Sequence, residues 1–186
     1  MLVWMEARNM ANNIRKMYKL GDKPDLLYLC DELGINVCEL PLGSVSGLIL
    51  KKREEEPTIY INKKDSSARR RFTLAHELGH FFERNSAADD EYSFRDQEVM
   101  KEARGDGYGL MEFYADEFAG ELLMPEEQFT KIWDEGGPIL AANHFGVSVS
   151  AAKKRKYRLD CSRKFLEDGN ESVSYTHLTL PTILLV

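Results

Sequence analysis

Residues 72–82 read FTLAHELGHFF, two histidines four apart with a glutamate directly after the first. Phe72, Leu74, Ala75, Leu78, Phe81 and Phe82 make the stretch apolar around most of its circumference. That pattern predicts a helix enclosed in a core rather than one lying on a surface. Imidazoles on such a helix need polar partners or a metal, because an unpaired polar group taken out of water is costly. Residues i and i+4 share a helix face, so His76 and His80 can present two nitrogens to one ion. Glu77 stands one step round, where it can reach a water on that ion, and two imidazoles suit zinc.

A catalytic zinc takes three protein donors and leaves a fourth position for water. One known continuation of the motif requires Gly at position 83 and His at position 86; Glu83 and Ser86 exclude it. The other histidines are His144, near the end of the chain, and His177. A carboxylate is therefore the expected donor. The helical stretch MEFYADEFAGELL carries Glu112 and Asp116 at i and i+4, a spacing in which the glutamate binds the ion and the aspartate holds an imidazole N–H. Competing donors are Glu117, Glu121, Glu83 and Glu102, with Glu121 the strongest rival on the same helix. The reading favours Glu112, since a buried pair at 112 and 116 needs a reason such as a metal.

The rest of the 186 residues fits one ordinary domain with a small appendage. Apolar residues make up 43% and charged residues 30%, as in a globular chain. No apolar run approaches the roughly 18 residues that span a bilayer. MLVWM is followed at once by Glu6, unlike a secretory signal, so the expected location is the cytoplasm. Cys30, Cys38 and Cys161 have neither CxxC spacing nor a dense framework, which argues against disulfides and cysteine zinc sites. With 25 basic against 31 acidic residues, the net charge of −6 gives no general attraction to nucleic acid.

Residues 173–186, VSYTHLTLPTILLV, hold no Asp, Glu, Lys or Arg, an abrupt break in composition. VSYTHLTLPT is what one frame of a transposon-based sequencing adapter encodes. The expectation is a non-native tail, in which His177 has no role.

Met10, Ile14 and Met17 predict a first helix ending at Gly21, and DLLYLCDELGI a second. NVCELPL and VSGLILKK read as extended, and TIYIN at residues 58–62 is the clearest strand. The 72–82 helix is expected to begin after Asp65 to Ser67 and to run to Asn85. A polar insertion follows over residues 86–110, with a short helix around residues 97–103. The Glu112 helix should stop at Pro125, and PEEQFTKIWDE at Gly136-Gly137-Pro138. The domain reading is a core over residues 1–136 and a small C-terminal segment over residues 137–172. In that segment LAANHFGVSVSAAKKRKYRL has a helix, glycine turn, helix form, with Ala142 and Val147 as packing positions. Lys153, Lys154, Arg155, Lys156 and Arg158 form a basic run. The favoured reading is a small bundle packed on the core with a solvated basic face; DNA contact is the less favoured alternative.

RRRFTLAHELGHFF together with EFYADEFAGELLMP resembles the ImmA/IrrE-type metallopeptidases. The resemblance runs from about Asp25, through IYIN, to FGVS near residue 148. It implies zinc held by His76, His80 and Glu112, with Glu77 as base. It implies an α+β, zincin-like fold, helical, with a small mostly antiparallel sheet packed on the active-site helix. The TIYIN strand, with Ile59, Tyr60 and Ile61, would then align an extended peptide by main-chain pairing. Some family members cleave helix-turn-helix repressors of the XRE type, which makes such a repressor the expected partner. Tyr92, Tyr108 and His144 are candidates for oxyanion assistance, and none is singled out. The rival expectation is a non-proteolytic, zinc-containing regulator that binds DNA or a repressor.

Overall fold

The computed structural model describes residues 2–86, 92–95 and 106–167. The expected helix at residues 97–103, Glu102 and the 173–186 tail with His177 lie outside them. The order is α1 (Val3–Met17), α2 (Leu26–Glu32), β1 (Asn36–Leu40), β2 (Gly47–Lys51), β3 (Thr58–Asn62), α3 (Ser67–Ser86), β4 (Tyr92–Arg95), α4 (Asp106–Leu123), α5 (Glu126–Phe145) and α6 (Val149–Glu167). This is an α+β fold, mostly helical with one small mixed sheet.

Local chemistry sets most of the boundaries. Asp25 caps α2 by accepting from Leu27 N and Tyr28 N at 3.0 and 3.1 Å, and Gly34 leaves the helix with φ +67°. The Glu126–Phe145 stretch is broken at Gly136 and Gly137, and Pro138 restarts the helix where its missing N–H has no partner to lose. The two pieces meet the expected stop. Gly146 ends the second piece in the left-handed region.

The sheet has the order β1-β3-β2-β4. β1 runs parallel to β3, while β2 is antiparallel to both β3 and β4. Ile59 and Ile61 of β3 and Ile49 of β2 are buried, in the alternation a one-sided sheet requires. The same order corrects one expectation. TIYIN is an inner strand whose main chain is bonded to β1 on one edge and β2 on the other. Ile59, Tyr60 and Ile61 therefore have no free edge on which to align a peptide. Among the described residues the outer strands are β1 and β4.

α3 packs against β2 and β3, and α4 crosses α3 and also carries α1. Two glycines set the depth of these contacts. A Cβ on Gly79 of α3 would lie 2.7 Å from Ala115 Cα of α4. A Cβ on Gly47 of β2 would overlap the Thr73 methyl and come 3.2 Å from Glu77 Oε1. Sheet and helix thus close on α3 from opposite sides. Leu78, Phe81, Phe82, Phe118 and Leu122 fill the core around it, with Phe82 and Phe118 ring centroids 5.3 Å apart. On α1, Ala7 and Ala11 are wholly buried, small enough to admit α4 closely. No described helix is long and apolar enough to cross a membrane.

Candidate metal centre

α3 carries His76, Glu77 and His80 into the interior, all at 6% exposure or less. The two Nε2 atoms face one another at 3.1 Å. Glu112 of α4 closes the triangle: Oε2 lies 3.2 Å from His76 Nε2, and Oε1 lies 3.0 Å from His80 Nε2. Among the described residues these three form a group able to hold a metal, with donor atoms within 4.8 Å of one another. A tetrahedral zinc with nitrogen and oxygen donors at roughly 2.0–2.1 Å would hold them about 3.3 Å apart. The 3.1 Å between the two Nε2 atoms fits that size, Glu112 turns one carboxylate oxygen toward each imidazole, and an N, N, O donor set fits the ion.

Asp116, one turn beyond Glu112, reaches the other side of the same ring. Its Oδ1 lies 3.2 Å from His76 Nδ1. An imidazole with Nδ1–H donating to a carboxylate has its lone pair on Nε2, the nitrogen turned toward His80 and Glu112.

The electrostatics follow from this packing. Burial is the largest single influence on His76 and works against its charge, yet hydrogen bonds to Asp116 and Glu112 outweigh it and raise the imidazole well above its ordinary value. Burial likewise works to raise Glu112, but hydrogen bonds from His76 and His80 win and bring it down to about 2. Asp116 is pushed up by burial and pulled down further by His76, Arg158 and Lys154, ending well below its ordinary value. The cluster thus concentrates negative charge around one point and favours the charged form of His76. A divalent cation binding there would compete with that proton.

The competing acids of α4 lie on its other side. Glu117 and Glu121, 1% and 2% exposed, face arginines rather than the histidines. Arg8 Nε of α1 donates to Glu117 Oε2 at 2.8 Å, and Arg155 of α6 donates to Glu121. His144 is paired with Asp22 at 3.0 Å. The side chains of Tyr92 and Tyr108 are outside the described residues.

The basic run also differs from expectation. Lys154 and Arg158 donate to Asp116 Oδ2 at 2.7 and 2.8 Å, Arg155 is 3% exposed, and Lys156 pairs with Asp160 of its own helix. It is not a simple solvated face, because Lys154, Arg155 and Arg158 are spent on carboxylates of α4, while Lys153 stays exposed. Lys154 and Arg158 are the site-related residues that sequence reasoning missed. The available signal was complementarity: acids at 116, 117 and 121 on one helix match cations at 154, 155 and 158 on another.

The family model Peptidase_M78, described as the IrrE N-terminal-like domain, matches residues 30–157. The chain belongs to that family. The M78 match covers α3, α4 and every residue of the His76, His80, Glu112 and Asp116 cluster. It supports a metallopeptidase-like regulator domain. Among solved structures, a Mycobacterium tuberculosis transcriptional regulator is similar in fold, with a TM-score of 0.54 and 16% identity over 81% of this chain. The matched region is 45% of that regulator, so this M78 chain spans less than half its length. No curated protein matches the sequence.

Proposed function

We propose that the protein is a zinc-dependent metalloendopeptidase of zincin-like architecture, acting in the cytoplasm on a helix-turn-helix repressor of the XRE type. Such cleavage would relieve repression of mobile-element, phage or stress genes. The observation that carries the proposal is the convergence of His76 Nε2, His80 Nε2 and the Glu112 carboxylate beside the buried Glu77. In this reading the three hold zinc, which when bound supplies a Lewis acid and lowers the pKa of water. Asp116 fixes the tautomer of His76 so that Nε2 faces the ion. Glu77 takes the proton from the attacking water and delivers it to the leaving amine nitrogen.

Because β3 is enclosed, the substrate must use an outer strand. β2 is the strand held against Glu77 at Gly47, and β4 lies beyond it. A peptide added on the β4 side would therefore run past the site more directly than one added at β1.

The rival is a regulator in which zinc is only structural. A structural zinc is closed by four protein ligands, commonly with cysteine. Among the described residues the candidate group has three, none of them cysteine. Its DNA-binding form is further weakened by the internal pairing of the α6 cations.

The test is co-incubation of the zinc-loaded protein with an XRE-type repressor. The wild type is expected to cut it, and Glu77→Gln to keep zinc and leave the repressor whole. Equal cutting by both would refute the mechanism.

A further inference from the structure

Asp116 is anchored from three sides. Oδ1 faces His76 Nδ1 at 3.2 Å, while Oδ2 accepts from Lys154 Nζ at 2.7 Å and Arg158 Nη2 at 2.8 Å. Both cations come from α6. Arg158 is itself held in place, with its Nη1 3.3 Å from Glu117 Oε1 and its guanidinium 5.2 Å from the centre of the Phe113 ring. Glu117 is in turn gripped by Arg8 of α1. The family match ends at residue 157, so Arg158 lies just past it.

We infer that Arg158 and Lys154 are positioning residues of the metal site: by holding Asp116 Oδ2 they aim Oδ1 at His76 Nδ1, and His76 thereby presents Nε2 to the ion. The inference rests on the proposed reading of His76, His80 and Glu112 as metal ligands. A carboxylate with a 20% exposed side chain and no cation beside it is free to turn to solvent. His76 then loses the acceptor that fixes its ring. Charge-assisted hydrogen bonds such as these two are short and directional, which suits them to the task.

The arrangement also makes α6 part of the site. Ion binding favours the His76 geometry, that geometry favours Asp116 where α6 meets it, and linkage requires the two effects to be equal. Zinc therefore tightens the docking of α6, and the docking of α6 tightens zinc.

The test uses the full chain. Zinc affinity is read by competition with a chromophoric chelator, and site geometry from the ligand-field absorption of the cobalt-loaded protein. Lys154→Met combined with Arg158→Met is expected to weaken zinc about tenfold or more, within the range seen when the partners of metal ligands are lost. The cobalt band should shift, and Arg158→Lys alone should retain most of the affinity. Lys154 is half exposed, so Lys154→Met alone leaves the fold intact and should show a smaller loss in the same direction. Arg163, on α6 like Lys154 and Arg158 but paired with Glu126 and Thr130 of α5, is the control, and Arg163→Met should leave zinc affinity unchanged. Wild-type affinity and an unshifted band in the folded double variant would overturn the inference, as would an equal loss in Arg163→Met. A wild-type protein that binds no zinc removes the metal reading itself; zinc binding indifferent to these changes removes only this inference.

Discussion

Gly79 of α3 and Ala115 of α4 meet so closely that a Cβ on Gly79 would sit 2.7 Å from Ala115 Cα and 3.1 Å from Ala115 O. Both obstacles are backbone atoms, so no side-chain rotation relieves them. The contact lies one residue from His80 on one helix and one from Asp116 on the other, and it sets the separation across which Glu112 reaches both imidazoles. Gly79→Ala is expected to force the helices apart, costing about 1–3 kcal/mol of stability as an overpacked core does. Zinc affinity should fall with it. Denaturant unfolding and zinc titration of the same variant check both.

Loss of the carboxylate that orients His76 should separate binding from folding. Asp116→Asn keeps the shape of the side chain but lacks the charge that Lys154 and Arg158 require. Zinc affinity is expected to drop about 10- to 100-fold. Chelator competition measures it, and an unchanged affinity would mean that His76 is oriented by something else.

Proton release gives an independent view of the cluster. In the metal-free protein His76 is raised well above its ordinary value near 6.5, which favours a proton that an incoming zinc must displace. Zinc affinity should therefore rise with pH until that raised pKa is passed. Titration calorimetry in buffers of different ionisation enthalpy should register the released proton. Stability of the metal-free form runs the other way. The raised His76 stabilises fully below the unfolded value near 6.5 and loses this contribution as pH climbs through its folded value. The lowered Glu112 stabilises above its unfolded value near 4.5 and loses its contribution as pH falls toward about 2. The cluster's share of stability should peak between roughly pH 4.5 and 6.5, which thermal melts across pH will show.

The buried charges on the far side of α4 predict a stability effect. Glu117 is 1% exposed and accepts from Arg8 at 2.8 Å, with Arg158 at 3.3 Å and Arg155 at 3.7 Å. Glu117→Ala takes the close carboxylate from the buried Arg8, while Arg158 keeps Asp116 and Arg155 keeps Glu121, and should cost about 3–5 kcal/mol. Lys156→Ala, which removes an outer pair with Asp160, should change stability by no more than about 0.5 kcal/mol. Urea unfolding distinguishes the two.

Thiol reactivity probes the sheet and the core at once. Cys30 is 1% exposed and burial pushes its thiol up to about 12, whereas Cys38 is exposed on the outer strand β1. A thiolate-selective reagent near neutral pH should modify Cys38 readily and reach Cys30 only on unfolding. Rapid labelling of Cys30 in the native protein would contradict the packing of α2.

What the sequence disclosed divides along the line between local and distant relationships. His76 with His80, and Glu112 with Asp116, are i and i+4 pairs, and helix geometry alone puts each pair on one face. That the two faces meet is shown only by the packed chain, where Glu112 reaches both imidazoles. Strand order is a different matter. TIYIN is β-branched and alternating whether it lies at an edge or inside, so nothing in residues 58–62 reveals that β1 runs parallel along one side of it. The basic run reads as surface because cations usually are; only the bonds of Lys154 and Arg158 to Asp116, 38 and 42 residues away, tie it to α4. Pairing between helices far apart in sequence is a property of the packed chain, and periodicity does not encode it.

The account stands or falls on the ion and its ligands. The direct measurement is a crystal structure of the zinc-loaded protein, with anomalous scattering at the zinc edge. It should show one zinc at roughly 2.0–2.2 Å from His76 Nε2, His80 Nε2 and a Glu112 oxygen, with water in the fourth position. Glu77 should touch that water and not the metal. No zinc at these residues, or a zinc closed by a fourth protein ligand, would contradict the claim that this is a catalytic site.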